Sequence, residues 1–498
     1  MLRKIRIALA ALFFCGITWL LLDFTGTAAA YLGWTARMQF LPAVLAVNAV
    51  VVAALVVLTL VMGRIYCSII CPLGVMQDII SHTAGRFRKN RFRYSPARNV
   101  LRLAVLLVFV LLLAVGLTQI ALLVAPYSAY GRIAAGLLSP IYNMGNNLLA
   151  AAAEHFNSYA AYRVEVYVRS IAVLATAVAT LLVTGVLAWR SGRTYCNTIC
   201  PVGTILGFFA RFSLLRPVID TAKCNGCGLC ARNCKASCID AQAHSIDMSR
   251  CVVCGNCIGK CRQSAISYAL RTKCAQRPSS VDQSAPESAD CGRRKFLTAI
   301  GAVGTAAAVR AAEKTVDGGL AVIEDKQIPE RSTRLIPPGA RSHAHFYQHC
   351  TACQLCVQNC PNAVLHPSGD WEHLLQPVME YERGYCRPEC TRCSEVCPTG
   401  AIRLIDRAEK SSVQIGHAVW VKKNCVVLTD GVKCGNCARH CPAGAITMVP
   451  LEADDSESRR VPHVDTERCL GCGACENLCP ARPFSAIYVE GHETHREI

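Results

Sequence analysis

Cysteine is the residue whose abundance and spacing demand chemistry in this chain: 32 of 498 residues are cysteine, and all but Cys15 lie beyond residue 60. The run Cys224-x-x-Cys227-x-x-Cys230-x-x-x-Cys234 recurs as Cys251-x-x-Cys254-x-x-Cys257-x-x-x-Cys261. Three thiolates on one tight loop cap one face of a cuboidal 4Fe-4S cluster, while the fourth, a helical turn further on, points to a second cluster. The spacing therefore predicts crossed ligation, with Cys224, Cys227, Cys230 and Cys261 on one cluster and Cys251, Cys254, Cys257 and Cys234 on the other. Gly226, Gly228 and Gly255 let the backbone approach the sulfurs. Zinc and disulfides are the competing uses, and a doubled four-cysteine repeat at this spacing disfavours both. Lys235 and Arg262 stand where proline usually follows the fourth cysteine.

A second block carries four more motifs, each ending in Cys-Pro: Cys350, Cys353, Cys356 and Cys360; Cys386, Cys390, Cys393 and Cys397; Cys425, Cys434, Cys437 and Cys441; Cys469, Cys472, Cys475 and Cys479. Six 4Fe-4S clusters are expected in all. Ala401-Ile402 and Ala445-Ile446 are expected to form the short strand that follows a ferredoxin binding loop. Spacing alone leaves open whether the first motif exchanges its fourth cysteine with the second or with the fourth. Four further cysteines form a separate repeat, Gly63-Arg64-Ile65-Tyr66-Cys67-Ser68-Ile69-Ile70-Cys71-Pro72-Leu73-Gly74 against Gly192-Arg193-Thr194-Tyr195-Cys196-Asn197-Thr198-Ile199-Cys200-Pro201-Val202-Gly203. On a helix, cysteines at i and i+4 share one face, so Cys67/Cys71 and Cys196/Cys200 would together offer four thiolates to an additional metal or cluster. Inert thiols at a Pro-Gly turn are the competing reading. Cys15, Cys238, Cys274 and Cys291 are read as structural or incidental.

These residues have to be positioned by elements of two kinds. The chain is 52% hydrophobic and only 17% charged, too apolar for an ordinary soluble enzyme. Stretches 5–22, 41–62, 103–125 and 171–189 each suit a membrane helix, which takes about 20 residues to cross a core of about 30 Å. Basic flanks at 1–6, 64–98 and 190–216 put the N-terminus and the first cysteine block on the cytoplasmic side, with 23–40 and 126–168 opposite. The formal charge of +18 is mostly this asymmetry, and six clusters at about −2 each would offset much of it, so nucleic acid is excluded as a partner. No histidine falls in the four spans and no Cys-x-x-Cys-His motif occurs, which excludes haem. A polar linker at 274–292 precedes Arg293-Arg294-Lys295-Phe296-Leu297, which matches the core of a twin-arginine signal and opens a mildly apolar run, 293–312, the candidate fifth crossing.

At these residues the sequence resembles the membrane ferredoxins of periplasmic nitrate reductase systems. Residues 1–270 are similar to the NapH type, with two Cys-x-x-x-Cys-Pro motifs and a cytoplasmic two-cluster ferredoxin, an arrangement related to NosR and CcoG. Residues 293–490 are similar to the NapG/MauM type, a twin-arginine-exported four-cluster ferredoxin, although the Cys386-x-x-x-Cys390-x-x-Cys393 spacing departs from the commoner form. The resemblance implies a fusion: a NapH-like membrane domain (1–216), a two-cluster domain (217–273), and a four-cluster domain (343–490). Its fold class would be a multi-domain membrane protein, an all-α helical bundle of four or five transmembrane helices with α+β ferredoxin-like 4Fe-4S domains.

The implied role is electron transfer in anaerobic respiration at a bacterial inner membrane, as a quinol-dehydrogenase-type subunit rather than a stand-alone enzyme. Electrons would pass between quinol or a cytoplasmic donor and a periplasmic reductase or multihaem cytochrome, with membrane lipid around the helices. No nucleotide loop, flavin fingerprint or catalytic triad is visible. A rival from another class is a copper-handling or assembly factor, since thiolates select Cu(I).

Overall fold

The computed structural model describes residues 2–87, 92–158, 162–164, 166, 171–271, 316–317, 321–322, 324–452 and 458–498. Cys274, Cys291, the 274–292 linker and the twin-arginine run 293–312 lie outside them. The elements described up to residue 210 are all helical: α1 (Leu2–Leu22), α2 (Thr27–Arg37), α3 (Phe40–Leu45), α4 (Ala49–Met62), α5 (Tyr66–Ile69), α6 (Pro72–Phe87), α7 (Asn99–Val115), α8 (Thr118–Leu123), α9 (Pro126–Ile133), a π-helical turn at Ala134–Leu138, α10 (Ser139–His155), α11 (Ile171–Ser191), α12 (Thr194–Thr198) and α13 (Pro201–Ala210). Two of these helices are long and apolar enough to cross a membrane, Arg3–Leu22 and Ile171–Ser191.

The other two expected spans are interrupted. The 41–62 stretch breaks at Val47, whose φ is +52°, and Asn48 restarts the chain as α4 by accepting from the Val51 amide at 3.2 Å. The 103–125 stretch ends as α7 at Gly116, at φ +89°, where a left-handed residue closes the helix. Each break frees a short helix, α3 or α8, to turn inward. Phe40 donates its backbone N–H to the Tyr66 hydroxyl (3.1 Å), and the Tyr195 hydroxyl donates to the Val124 carbonyl (2.7 Å). The two inward turns thus reach the tyrosine of each Gly-Arg-x-Tyr-Cys copy.

The first cysteine block pairs β1 (Leu215–Ile219) antiparallel with β4 (Ile266–Leu270), and β2 (Ile239–Asp240) with β3 (Ser245–Ile246). Short β5 (Val316–Asp317) and β6 (Ala321–Val322) precede the second block. That block pairs β7 (Leu365–Pro367) with β8 (Pro377–Met379), β9 (Val413–Trp420) with β12 (Ile487–Glu497), and β10 (Ile446–Pro450) with β11 (Arg460–Val464), all antiparallel. Ile446 thus begins a strand as expected. Ala401-Ile402 does not: Arg403 pairs instead with the Gly339 carbonyl (3.0 Å), and Ile402 turns its N–H toward the Cys397 sulfur (3.4 Å).

The blocks occupy opposite ends of the helices. At the start of α1, Arg3 lies against Gly255 and Gly259 of the first block, whereas Gly26, just past the end of α1, faces Arg392 of the second. Antiparallel to it, α11 begins beside Gly136 and ends at Gly192, against Lys235 of the first block. A 21-residue helix is about 30 Å long, which sets the separation of the two ends. One apolar core runs from Ile17, Leu20 and Leu21 through Tyr127 and Tyr130 into Phe346, Leu355 and Tyr381 of the second block; the first block has its own small core around Ile219, Ile239 and Ile266.

Candidate metal centres

Cys67, Cys71, Cys196 and Cys200 converge among the helices near the first block, all buried. The expected continuous helical face is absent. Cys67 sits in the single turn α5 and Cys71 directly precedes α6; Cys196 sits in α12, and Cys200 is the N-cap of α13, its sulfur accepting from the Gly203 amide at 3.4 Å. Proline at the first position of each following helix forces the break, because it lacks the N–H that would continue the turn. What brings the pairs together is a reciprocal clamp. Arg64 donates to the Cys196 carbonyl (3.2 Å) and its own Cys67 sulfur (3.7 Å), while Arg193 donates to the Cys67 carbonyl (2.7 Å) and its own Cys196 sulfur (3.7 Å). A Cβ on Gly74 would overlap the Cys67 carbonyl and one on Gly203 the Cys196 carbonyl, so both glycines of the repeat admit close approach.

Burial pushes the Cys200 thiol well up, and the neighbouring Cys196, Cys67 and Cys71 push it further. Burial raises Cys71 in the same way, with Cys196 and Cys67 adding to it. Four thiols held this close in an apolar core ionise together only if a cation shares them, which is what a four-thiolate metal or cluster site requires. Gln77 adds a donor to the Cys196 sulfur (3.4 Å).

The first block docks beside this centre. Lys235 and Ala236, just after Cys234, offer carbonyls to the Arg193 amide (2.8 Å) and the Asn197 side chain (3.2 Å), and the Ser249 carbonyl accepts from Arg64 (3.0 Å). Asp78 on α6 secures the join, pairing with Arg193 (2.7 Å), with Arg6 (3.1 Å) and with Lys235. Burial opposes its charge, but Arg193 and Lys235 overcome this and hold its carboxyl well below the usual carboxylate range. Within the block, Cys234 lines a cavity with Cys251, Cys254 and Cys257, and Cys261 lines another with Cys224, Cys227 and Cys230. These are the crossed sets expected from spacing. Cys238 belongs to the first of them: its sulfur is 3.6 Å from that of Cys234, so it is no bystander.

In the second block the first motif exchanges with the second, and the third with the fourth. Cys397 lies within electrostatic reach of Cys350, Cys353 and Cys356, and Cys360 shares a cavity with Cys386, Cys390 and Cys393. Cys479 shares one with Cys425, Cys434 and Cys437, and Cys441 lies beside Cys469 and Cys472. Consecutive sets touch. Cys393 is within reach of Cys356, the Cys386 amide donates to the Cys472 carbonyl (2.9 Å), and Cys437 is within reach of Cys475. Backbone N–H groups point at the fourth cysteines, Ala265 to Cys261, Ala445 to Cys441 and Ala486 to Cys479, each at 3.3 Å, which favours the thiolate form that iron needs. The donor chemistry, the enclosed space and these N–H groups fit iron-sulfur clusters.

The second block meets the helices through α9. Ser128 donates to the Thr351 carbonyl (2.6 Å), and a Cβ on Gly131 would overlap the Cys353 carbonyl. Tyr127, one turn before Gly131, buries a hydroxyl that has no hydrogen-bond partner among the described residues; the thiols whose charge it feels are Cys353 and Cys397. Arg64, Arg193 and Gln77 were not singled out by spacing, and the arginines read as part of the basic flanks. Their signal was present in the repeat itself, which carries Gly-Arg in both copies.

Residues 44–93 and 170–219, which contain the two arms of this repeat, each match a 4Fe-4S binding domain family, and residues 432–482 match a 4Fe-4S dicluster domain family. Among curated proteins, the chain is 35% identical over 181 residues to the methylamine utilization ferredoxin-type protein MauM of Methylorubrum extorquens, covering 34% of this chain and 80% of that protein. It is 33% identical over 199 residues to the ferredoxin-type protein NapG of Escherichia coli (38% of this chain, 81% of that protein), and 27% identical over 162 residues to its ferredoxin-type protein NapF (32% and 89%).

Proposed function

The chain belongs to the family of MauM/NapG ferredoxin-type proteins, iron-sulfur proteins of electron transfer, and from that premise we propose that it conducts electrons across a membrane. In this reading a NapH-like helical domain is fused to a NapG/MauM-like polyferredoxin, and electrons pass between quinol or a cytoplasmic donor and a periplasmic reductase. Six 4Fe-4S clusters are held by the crossed cysteine sets, and Cys67, Cys71, Cys196 and Cys200 hold a further metal or cluster beside the first block.

The observation that carries this reading is the series of thiol sets at the two ends of α1, joined by the four-thiol centre and by α9. The set of Cys234 abuts the four-thiol centre through Arg193 and Asn197; from that centre Tyr195 reaches Val124 and α9, and α9 packs on Cys353. The clusters supply one-electron redox chemistry when bound; the protein supplies their thiolates, the N–H groups aimed at them and the apolar surroundings that set their potentials. The first block and the N-terminus face the cytoplasm and the second block the periplasm, so the chain must cross again after residue 271.

Iron analysis tests the cluster count: anaerobically purified protein should hold about 24 irons per chain, four for each of six motifs. A value of about 8 would leave only one block as a ferredoxin and end the proposal as stated. The copper-handling reading is favoured by one feature, the purely thiolate donor set of the central site. Stoichiometric copper in protein isolated without added metal would select it.

A further inference from the structure

Every residue of α9 is buried, and Tyr127, near its start, is 2% exposed. A buried tyrosine hydroxyl ordinarily finds a hydrogen-bond partner, because an unmade bond leaves its lost hydration uncompensated. The other tyrosines at most 5% exposed among the described residues obey this. Tyr66 donates to Gln39 Oε1 (2.9 Å), Tyr195 to the Val124 carbonyl (2.7 Å) and Tyr381 to the Gly471 carbonyl (2.7 Å), while Tyr130 and Thr18 share a hydrogen bond of 2.6 Å. Tyr127 has no such partner among the described residues.

What the hydroxyl faces follows from the helix that carries it. Tyr127 and Gly131 are four residues apart and so share one face of α9. Gly131 lies against the Cys353 carbonyl, where a Cβ would overlap it, and the intervening Ser128 donates to the Thr351 carbonyl (2.6 Å). Tyr127 shares an apolar core with Cys350, Cys353 and Cys356, and Cys397 packs against that core. The thiols whose charge the hydroxyl feels are those of Cys353 and Cys397. It is therefore held at one edge of the set of Cys350, Cys353, Cys356 and Cys397. Neither cysteine sulfur takes its hydrogen. The acceptor left to it is a sulfide of the cluster that these cysteines enclose.

The cysteine sulfurs of this set already have donors, all from the second block. The Ala352 N–H points at Cys350 (3.4 Å) and the Ile402 N–H at Cys397 (3.4 Å), and the Thr399 hydroxyl lies 3.6 Å from the Cys397 sulfur. Tyr127 comes instead from the helices. Tyr381 also sits among thiols, close to Cys386 and Cys472, but its hydroxyl is committed to the Gly471 carbonyl. A buried tyrosine with its hydroxyl to spare is thus specific to the set on which α9 packs.

Resting on the electron-transfer reading above, we propose that Tyr127 donates its hydroxyl hydrogen to a bridging sulfide of the cluster of Cys350, Cys353, Cys356 and Cys397 and thereby raises the reduction potential of that cluster. Reduction adds one negative charge to a buried site. Burial opposes that charge, and an O–H aimed at cluster sulfur favours the reduced form over the oxidised one. The tyrosine keeps its proton and its electrons throughout. Because the donor belongs to α9 and the sulfurs to the second block, docking of the block on the helices sets the potential of the cluster that meets them. That cluster accepts an electron more readily docked than it would alone.

The test uses the full chain in lipid nanodiscs. Cys353→Ala, which should lose one cluster, identifies the paramagnetic resonance signal of this set. Tyr127→Phe removes only the hydroxyl, so iron content and all signals should be retained. The signal of this set should then titrate lower, its reduction equilibrium shifted about tenfold toward the oxidised form, about 59 mV for one electron, with the other clusters unmoved. In wild-type protein assembled in heavy water, electron-nuclear double resonance should find an exchangeable deuteron coupled to the reduced cluster of this set and missing from Tyr127→Phe. An unchanged midpoint in Tyr127→Phe, or the same deuteron still present there, would overturn the inference, as when the hydroxyl bonds a water instead. An equal shift at every cluster would also overturn it, since Tyr127 would then act through the fold. If Cys353→Ala lost neither iron nor signal, the cluster assignment of the electron-transfer reading would fall, and the inference with it.

Discussion

The central four-thiol site and the six loop sets gather cysteine side chains by opposite means. Each loop site takes three cysteines from one short stretch and a fourth from its neighbour, then stabilises the sulfurs with backbone N–H groups such as Ala265, Ala445 and Ala486. The central site takes two cysteines from each of two segments about 130 residues apart and holds them with buried arginine side chains that cross from one copy to the other. The difference teaches where each site is vulnerable. A loop site fails alone, whereas the central site depends on charge balance across the whole helical region, because Arg193 is tied through Asp78 to Lys235 and Arg6.

The largest expected effect separates the two designs by function. Cys200→Ser should abolish electron passage between the blocks while leaving the spectra of all six loop sites in place. Cys227→Ser should remove one signal from the first block and leave the central one intact. If Cys200→Ser instead erased several signals at once, the central site would be a folding element and not a relay.

Next comes the clamp. Arg193→Ala strips Asp78 of a fully buried partner and leaves a buried carboxylate undercompensated, a change that costs about 3–5 kcal/mol when a buried pair is broken from one side. Thermal unfolding should shift down strongly, and Arg193→Lys should rescue it only in part, since one ammonium does not reach both the Cys67 carbonyl and Asp78 as the guanidinium does. An unchanged melting temperature in Arg193→Ala would make the reciprocal contacts incidental.

A smaller effect is expected from Glu380, at the edge of β8 in the second block. Burial, with Glu382 nearby, raises its carboxyl from 4.5 to about 7. The folded chain therefore keeps a proton between those values that the unfolded chain has lost, so stability falls as pH rises through that window and levels off above it. The full shift corresponds to about 3 kcal/mol at most, reduced by its partial exposure. Glu380→Gln should flatten the dependence between pH 4.5 and 7; a slope identical to wild type would assign it to other groups.

The smallest effect concerns Cys238. Cys238→Ala removes one weak sulfur donor beside Cys234, worth about 1 kcal/mol, and should shift the signal of that set alone without loss of iron. Loss of four irons would make Cys238 a ligand in place of one of the assigned cysteines.

The loop sites were legible in the sequence because their chemistry is local: three ligands come from one short stretch of chain, and the spacing encodes the geometry. The pairing of motifs in the second block was not, since the choice between neighbours depends on how the β10–β11 hairpin brings Cys469 back beside Cys441. The repeat around Cys67 and Cys196 was visible, yet its arginines looked like flanking charge, because a buried arginine and a solvated one are identical until its partners are placed. The helix breaks at Val47 and Gly116 were hidden by apolar composition, which hydropathy sums without regard to φ. Lys235 marked a departure from the proline pattern, and only the position of Asp78 explains it.

Electron passage itself tests the central claim most directly. The full chain would be sealed in vesicles with an impermeant oxidant inside and an impermeant reductant outside, and reduction of the enclosed oxidant followed optically in wild type and in Cys196→Ser. The account predicts steady reduction in wild type and none above the lipid leak in the variant, with the six loop signals retained in both. Equal rates in the two proteins would contradict it, since the electrons would then cross without the four-thiol centre.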